Sequence, residues 1–317
     1  MKDIQTAYLA PLGLENQLEA ELSGPITRVG RLFLSSQKTQ KTYWAANIWE
    51  HTEIIPIKSI GDAAKELKKR APLWHPYYDL HIRRAKLIQS KLPKFSGKRL
   101  TFLQKIPTSP MSSWTLLNEN LMLASAYCSS LRPHGEWEFI ENKEEPPSRA
   151  YLKLWEVFTR FEFVPNKNDT CLEIGAAPGG WTWVLADLCK KVIAYDRADL
   201  DPKIANLPNV QSIRGDAFAT TPEKHPDVDW IFSDVICTPE RLFGWLQPWL
   251  KDSKSRNFCT TIKLKGDDYH EWVEKFSAIP KSHIVHLYHN KHELTCFIIN
   301  THHQTQSCKK KELTHGN

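Results

Sequence analysis

The chain has 317 residues, 41% of them hydrophobic and 25% charged, with a formal net charge of +6. That is enough apolar material for a real core, which excludes a disordered chain, and the length suits two domains. No apolar run approaches the roughly 18–20 residues of a membrane span, and the opening MKDIQTAYLAPLG lacks the basic start and apolar stretch of a signal peptide. The seven cysteines are odd in number, form no CxxC pair and sit among mainly apolar neighbours. They are expected to be reduced, buried thiols of a cytoplasmic protein, with no membrane partner and no metal site.

In chain order, TAYLAPL reads as a strand, GLENQLEAELSG as a helix closed by glycine, and ITRVGRLFLSS and KTYWAANIWE as one strand each. SIGDAAKELKKRA reads as a helix with a basic end, so a small β-α-β-β-α layer is expected. Residues 65–105 follow with twelve Lys/Arg against two acids, a local +10 that leaves the rest of the chain at −4. Lys68, Lys69, Arg70, Arg83, Arg84 and Lys86 lie in it, interleaved with Trp74, His75, Tyr77, Tyr78 and Phe95. Cations track phosphates and aromatic faces stack bases, so the segment is expected to grip RNA. A solvated, lysine-rich helix surface is the plain alternative. WTLL-NEN-LMLASAY then suggests a hairpin with a polar turn.

ENKEEPPSRAYLKLWEVF marks a boundary: Pro146 and Pro147 end one region, and Ser148 is a suitable N-cap for a new helix. The predicted domains are 1–147, an N-terminal α+β RNA-binding region, and 148–303, with a disordered tail over 304–317. In the second, TCLEIG, KVIAYD, VQSIRGD, VDWIFSDV, FCTTIKL, HIVHLYH and LTCFIIN read as strands. GGWTWVLADLCK, RLFGWLQPWL and DDYHEWVEKFSA read as helices among them. This alternation is that of an open α/β sheet, Rossmann-like in type, with an antiparallel edge at its end.

Between the first of these strands and its helix lies GAAPGG, with Gly175, Ala176, Pro178, Gly179, Gly180 and Trp181. Glycines there allow a sharp turn and close approach of a ligand. The spacing is neither GxGxxG nor GxxxxGK[ST], which argues against a dinucleotide or a triphosphate. Asp196 ends the next strand, where an acid can accept from ribose hydroxyls. Asp216 follows the third and can face an adenine amino group. Acids and glycines at three successive strand ends suit a nucleoside without phosphates, and S-adenosylmethionine has that shape. Asp234 closes the fourth strand and Lys263 the fifth, Glu293 opens a later one, and Lys153 sits on the helix before the sheet. A salt-bridge cluster without chemistry is the plain alternative.

SRAYLKL, EIGAAPGGW, VIAYD, GDAF, SDV, TIKL and KHELT follow, in order, the motifs of the FtsJ-like RNA ribose 2′-O-methyltransferases, which residues 148–300 resemble. The resemblance implies an S-adenosylmethionine-dependent methyltransferase sheet whose catalytic set carries over to Lys153, Asp234, Lys263 and Glu293. PPSRAYLKL and LYHNKHELT are most similar to a branch acting on a cytidine of large-subunit (23S) ribosomal RNA before subunit assembly. That branch carries a THUMP-related RNA-binding region in front, and YLAPLGLENQLEAEL is similar to its start. The rest of residues 1–147 departs from it and is shorter.

A ribose hydroxyl is a weak nucleophile, so the enzyme must align it with the methyl carbon and take its proton as the bond forms. Lys263 is expected at the 2′-oxygen, as proton acceptor or as a cation steadying the forming alkoxide. Asp234 and Glu293 orient it, and Lys153 positions the nucleotide. Lys265 shares the strand face of Lys263, and only the motif separates them. Cytosine C5 chemistry through Cys237, 2′-O-methylation of another RNA such as tRNA, an RNA chaperone and a non-catalytic RNA-binding module remain rivals.

Overall fold

The computed structural model describes residues 4–300 except 96, 110, 253, 255 and 265–268. The tail expected to be disordered over 304–317, and Lys265, lie outside the described residues. The chain forms two compact units. One comprises Met1–Glu145, Ile262–Gly266 and Ile284–Thr295; the other comprises Pro146–Thr261, Asp267–His283 and Cys296–Asn317.

In the first unit the elements run β1 (Thr6–Leu9), α1 (Glu15–Glu21), β2 (Ile26–Val29), β3 (Leu32–Ser35), β4 (Asn47–Glu50) and β5 (Glu53–Pro56). They continue with α2 (Ile60–Arg70), β6 (Trp74–Pro76), α3 (Ile82–Gln89), β7 (Ser112–Asn118), β8 (Leu121–Ser125) and β9 (Tyr127–Cys128). Two sheets result, ordered β2-β3-β1-β4-β9 and β5-β8-β7-β6. The segment expected as one strand, ITRVGRLFLSS, is a hairpin instead. Gly30 adopts φ +57°, and Val29 pairs with Leu32 across the turn. A left-handed glycine reverses the chain where an unbroken strand cannot continue. KTYWAANIWE is strand only over its last four residues.

Helix α2 has a reciprocal cap: Ser59 Oγ accepts from Asp62 N at 3.1 Å, and Asp62 Oδ2 accepts from Lys58 N at 2.9 Å. Its last turn carries Lys68, Lys69 and Arg70, which suits the negative end of the helix dipole. Ala63, Ala64 and Leu67 bury its apolar face with Trp114, Leu116 and Met122 of β7 and β8. Trp74 donates from Nε1 to Leu67 O (2.9 Å) and Ala71 O (3.0 Å), closing carbonyls the helix end leaves unsatisfied. This corrects the reading of Trp74 and Tyr77 as base-stacking residues. Both are buried, and the Tyr77 hydroxyl accepts from Arg31 N at 2.7 Å. Their large apolar area is core.

The second region begins with α4 (Tyr151–Phe161) and continues with β10 (Thr170–Ile174), α5 (Gly180–Leu188), β11 (Lys191–Asp196), α6 (Pro202–Ala205) and β12 (Val210–Arg214). It goes on with β13 (Trp230–Ser233), α7 (Pro239–Lys251), β14 (Asn257–Lys263), α8 (Tyr269–Ser277), β15 (Ser282–Val285) and β16 (Glu293–Ile298). The sheet order is β12-β11-β10-β13-β14-β16-β15. Strands β10 to β14 pair in parallel. Beyond them, Leu264 N donates to His292 O, Thr260 Oγ1 to Cys296 O, and Asn300 N to Asn257 Oδ1. One partner number rises as the other falls, so β16 runs antiparallel to β14, as the sequence predicts. The fold is Rossmann-like α/β. Strand order reverses direction around β10 and β13, and α/β sheets bind ligands outside the carboxyl ends of the strands at such a point.

Ser148 is not the cap of α4. Ala150 takes that position in a helical conformation, and Ser148 Oγ only accepts from Ala150 N at 3.4 Å. The turn between them already winds helically, which moves the helix start to Tyr151.

Candidate active site

The turn after β10 is built by three glycines whose missing Cβ atoms are each required by protein neighbours. At Gly175 (φ +75°) a Cβ would lie 2.6 Å from Val235 Cα, so the loops after β10 and β13 meet there. At Gly179 (φ +113°) it would lie 2.9 Å from Ile204, and at Gly180 2.4 Å from Ser148 Oγ. The sharp turn expected of these glycines is present, and protein neighbours occupy the space that a Cβ would need. Ala176 is buried, its N–H donating to Tyr195 O at 3.2 Å. Pro178 is exposed after a cis peptide bond. Trp181 is buried, and its indole N–H donates to Ala150 O at 2.9 Å, tying α5 to the turn before α4.

Acids ring the strand ends. Asp196 holds the turn, accepting from Ala177 N at 2.9 Å and Ala198 N at 3.0 Å. Asp216 caps the short turn Ala217–Ala219 and lies 3.6 Å from Arg197 and 3.7 Å from Arg241. Asp234 receives both oxygens' bonds from Lys153 Nζ (3.0 and 2.9 Å), and Thr261 Oγ1 donates to Oδ1 at 2.7 Å. Two residues farther along β14, Lys263 Nζ is ion-paired with Glu293 at the start of β16. Asn290, itself buried, donates to Glu293 O at 3.1 Å and to Thr295 Oγ1 at 3.0 Å, which fixes where β16 begins. All four side chains of the two ion pairs are at most 15% exposed. The cost of desolvating both charges offsets much of the attraction in buried pairs of this kind.

Sequence reasoning missed Glu173. It lies in β10 at 1% exposure, with Thr182 Oγ1 donating to its carboxyl at 2.7 Å. Burial, reinforced by the neighbouring Asp234 and Asp196, pushes its carboxyl up to about 8. The signal was available: an acid in the apolar strand CLEIG, directly before the glycine turn. Thr261 and Asn290 were missed as well. The first was marked by sharing a strand face with Lys263.

The residues fit a cationic nucleoside. Burial, with Asp234 and Asp196 adding to it, keeps a proton on Glu173, and Asp196 and Asp234 supply negative charge beside the glycine turn. Each ionised carboxylate also has acceptor capacity beyond the bonds given above. S-adenosylmethionine carries a sulfonium and an ammonium, both favoured by such a field.

The residues predicted to bind RNA are spread over α2 and α3. Lys69 is ion-paired with Glu66 at 2.6 Å, and Arg70 with Glu53 and Glu66 at 2.9 Å each. Lys68, Arg83 and Lys86 are exposed, and Arg84 is half-buried.

Residues 146–247 match the FtsJ-like methyltransferase family model. The chain is 33% identical over 171 residues to the ribosomal RNA large subunit methyltransferase M of Xylella fastidiosa (strain M12), covering 49% of this chain and 48% of that protein. It is 33% identical over 159 residues to the protein of the same name from Halorhodospira halophila, covering 48% and 46%. The chain thus spans about half the length of the curated relatives it matches. Among solved structures, a ribosomal RNA methyltransferase from Plasmodium falciparum aligns with TM-score 0.37 at 21% identity, over 48% of this chain and 97% of that one. The glycine turn, the strand-end acids Asp196, Asp216 and Asp234 and the match to the FtsJ-like methyltransferase family model fall in the same stretch of sequence, residues 146–247.

Proposed function

We propose that the protein transfers a methyl group from S-adenosylmethionine to a ribose 2′-hydroxyl of ribosomal RNA, in the cytoplasm, at a cytidine of 23S RNA before subunit assembly. The observation that carries the reading is the occurrence of two buried lysine–carboxylate pairs, Lys153–Asp234, to which Thr261 also donates, and Lys263–Glu293. The cofactor supplies an electrophilic methyl group when bound. Gly175, Ala176, Pro178, Gly179 and Gly180 form the wall of its crevice, with Trp181 bracing the turn from beneath. Asp196 and Asp216 serve its ribose and base, and Asp234 its positive charge.

Lys263 meets the 2′-oxygen, as an amine that takes the proton or as an ammonium that steadies the oxyanion. Glu293 aims its Nζ, and Asn290 fixes Glu293. Lys153, held by both oxygens of Asp234, positions the nucleotide. Lysine and carboxylate alternation lets charge develop on the oxygen without a lone buried charge appearing. Residues 1–147 deliver RNA affinity through Lys68, Arg83, Arg84 and Lys86, with Lys69 and Arg70 held in their acid pairs until RNA competes for them.

The test is to map 2′-O-methyl groups across the ribosomal RNA of parent cells and of cells lacking this gene. Loss of one mark, restored by the wild-type chain and not by Lys263→Ala, is the expected result. An unchanged map would overturn the ribosomal reading and send the assay to tRNA.

A further inference from the structure

A cavity of about 510 Å³ opens in the first unit, bounded by β6, α3 and the segment around 132–138. Its size is that of a small-ligand site. Its floor contains Arg132, 9% exposed. A guanidinium this deeply buried normally finds a carboxylate. Among the described residues Arg132 has none within ion-pair distance. One NH2 donates to Lys98 O at 3.1 Å, and Nε has no hydrogen-bond partner. The guanidinium also lies 5.7 Å from the centre of the Phe95 ring. The structure therefore holds a desolvated cation with unused donor capacity at the wall of a cavity, a costly arrangement unless an anion enters.

Three further features define that anion. Lys86 and Lys94, both exposed, flank the same cavity, so its positive charge reaches the surface. Aromatic faces line it: Phe95 stands edge-on to His75 (6.5 Å, 88°), and Tyr78 is 38% exposed. His75 and His134 are hydrogen-bonded to each other at 3.1 Å, and burial keeps both neutral at pH 7. The rings are therefore uncharged platforms. Finally, two acids share the cavity. Burial pushes the Glu136 carboxyl up, and Glu138 lies 3.5 Å from Arg99. A bare phosphate site gains nothing from acids or aromatic rings. A nucleotide uses all three: cations for its phosphate, rings for its base, and carboxyl oxygens for an exocyclic amino group.

We infer that this cavity binds one nucleotide of single-stranded RNA, its phosphate at Arg132, Lys86 and Lys94, its base against Phe95 and Tyr78 and read by Glu136 and Glu138. The inference rests on RNA being the substrate, and it adds a base-reading site where the basic segment alone offers only phosphate affinity. Carboxyl acceptors favour cytosine, adenine or guanine over uracil, since uracil has no exocyclic amine.

The experiment titrates the full chain with fluorescently labelled oligo-C, oligo-A, oligo-U and a double-stranded RNA of the same length, for wild type, Phe95→Ala, Lys94→Ala and Arg132→Gln. Phe95→Ala is expected to weaken oligo-C binding roughly tenfold or more. Lys94→Ala is expected to weaken it several-fold with a shallower salt dependence. Double-stranded RNA is expected to respond to neither. Lys94 is exposed and Phe95 half-buried, so both variants should keep the wild-type melting temperature even where Arg132→Gln does not. Equal binding of oligo-C by wild type and Phe95→Ala, or oligo-U binding as tightly as oligo-C, would overturn the inference. The two readings separate cleanly. Methyl transfer with an unchanged KM in Phe95→Ala sinks the cavity and leaves the enzyme. Phe95-dependent oligo-C binding by a chain that methylates no RNA sinks the enzyme and leaves the cavity.

Discussion

Thr261 donates a hydrogen bond to Asp234 at 2.7 Å across adjacent parallel strands, with Ser233 and Thr260 in register just before them. This bond fixes the carboxylate that Lys153 straddles, so Asp234 is held from two sides. Replacing Thr261 by Val keeps the shape and removes the donor. We expect catalysis to fall by one order of magnitude or so, in keeping with about 1–2 kcal/mol for a hydrogen bond to a charged group. The melting temperature should change little, because β14 keeps its backbone ladder. Steady-state kinetics on an RNA substrate check this; unchanged kcat/KM would remove Thr261 from the positioning network.

Lys263→Ala removes the group assigned to the 2′-oxygen and leaves Glu293 without its cation. Turnover should fall by about 10²–10⁴-fold, the usual worth of a positioned acid–base group, while S-adenosylmethionine still binds in calorimetry. Lys263→Arg separates the two roles left open for the lysine. Arginine stays charged under all working conditions. A dead arginine variant with cofactor and RNA bound assigns proton removal; a variant retaining a substantial fraction of activity assigns charge stabilisation.

The sheet was legible in the sequence because its strands are runs of β-branched and aromatic residues, most of them separated by helices of 9–13 residues. TCLEIG, KVIAYD and FCTTIKL each became a strand with the expected limits to within a residue or two. The first unit was harder. Strand β5 is four residues ending in proline, and β6 is only WHP. Segments so short carry no period of their own, and partners distant in sequence create them. Trp74 and Tyr77 misled for a related reason: an aromatic residue in a basic stretch looks alike whether its ring faces water or core. The four charges of the candidate site could be named from sequence. Their pairing could not: Lys263–Glu293 depends on β16 inserting between β14 and β15, and Lys153–Asp234 on where α4 packs.

Glu173 makes a prediction about stability. Its folded carboxyl lies at about 8, above the usual 4.5, so the folded state binds more protons between those values. A raised carboxyl contributes stability that is fully present below about pH 4.5 and is lost as pH rises through 8. Glu173→Gln keeps an uncharged acceptor for Thr182 and removes the ionisation. In the absence of cofactor the variant should therefore be more stable than wild type, by on the order of 1–3 kcal/mol at pH 9 and by much less at pH 6. Urea denaturation at the two pH values reads the difference. A gap that does not widen with pH would mean that Glu173 is already ionised near neutrality.

The His75–His134 pair predicts the opposite slope. Burial lowers His75 to about 4 and His134 to about 3, with His75 and then Arg31 adding to the effect at His134. The unfolded chain takes up these protons near the usual 6.5, so between there and about pH 4 the unfolded state binds more protons. The stability held above pH 6.5 should drain away as the pH falls through this window, by up to roughly 7 kcal/mol in total for two groups at about 1.4 kcal/mol per pH unit each. Replacing both histidines by glutamine should flatten the pH 4–6.5 limb of the stability curve while leaving pH 8 nearly unchanged. The same double variant has a second use. Neutral rings at pH 7 leave Arg132, Lys86 and Lys94 as the cations of the cavity, so oligo-C binding should be flat from pH 6.5 to 8. Binding that strengthens on acidification across that range would show that an imidazolium, and not the buried arginine, holds the phosphate.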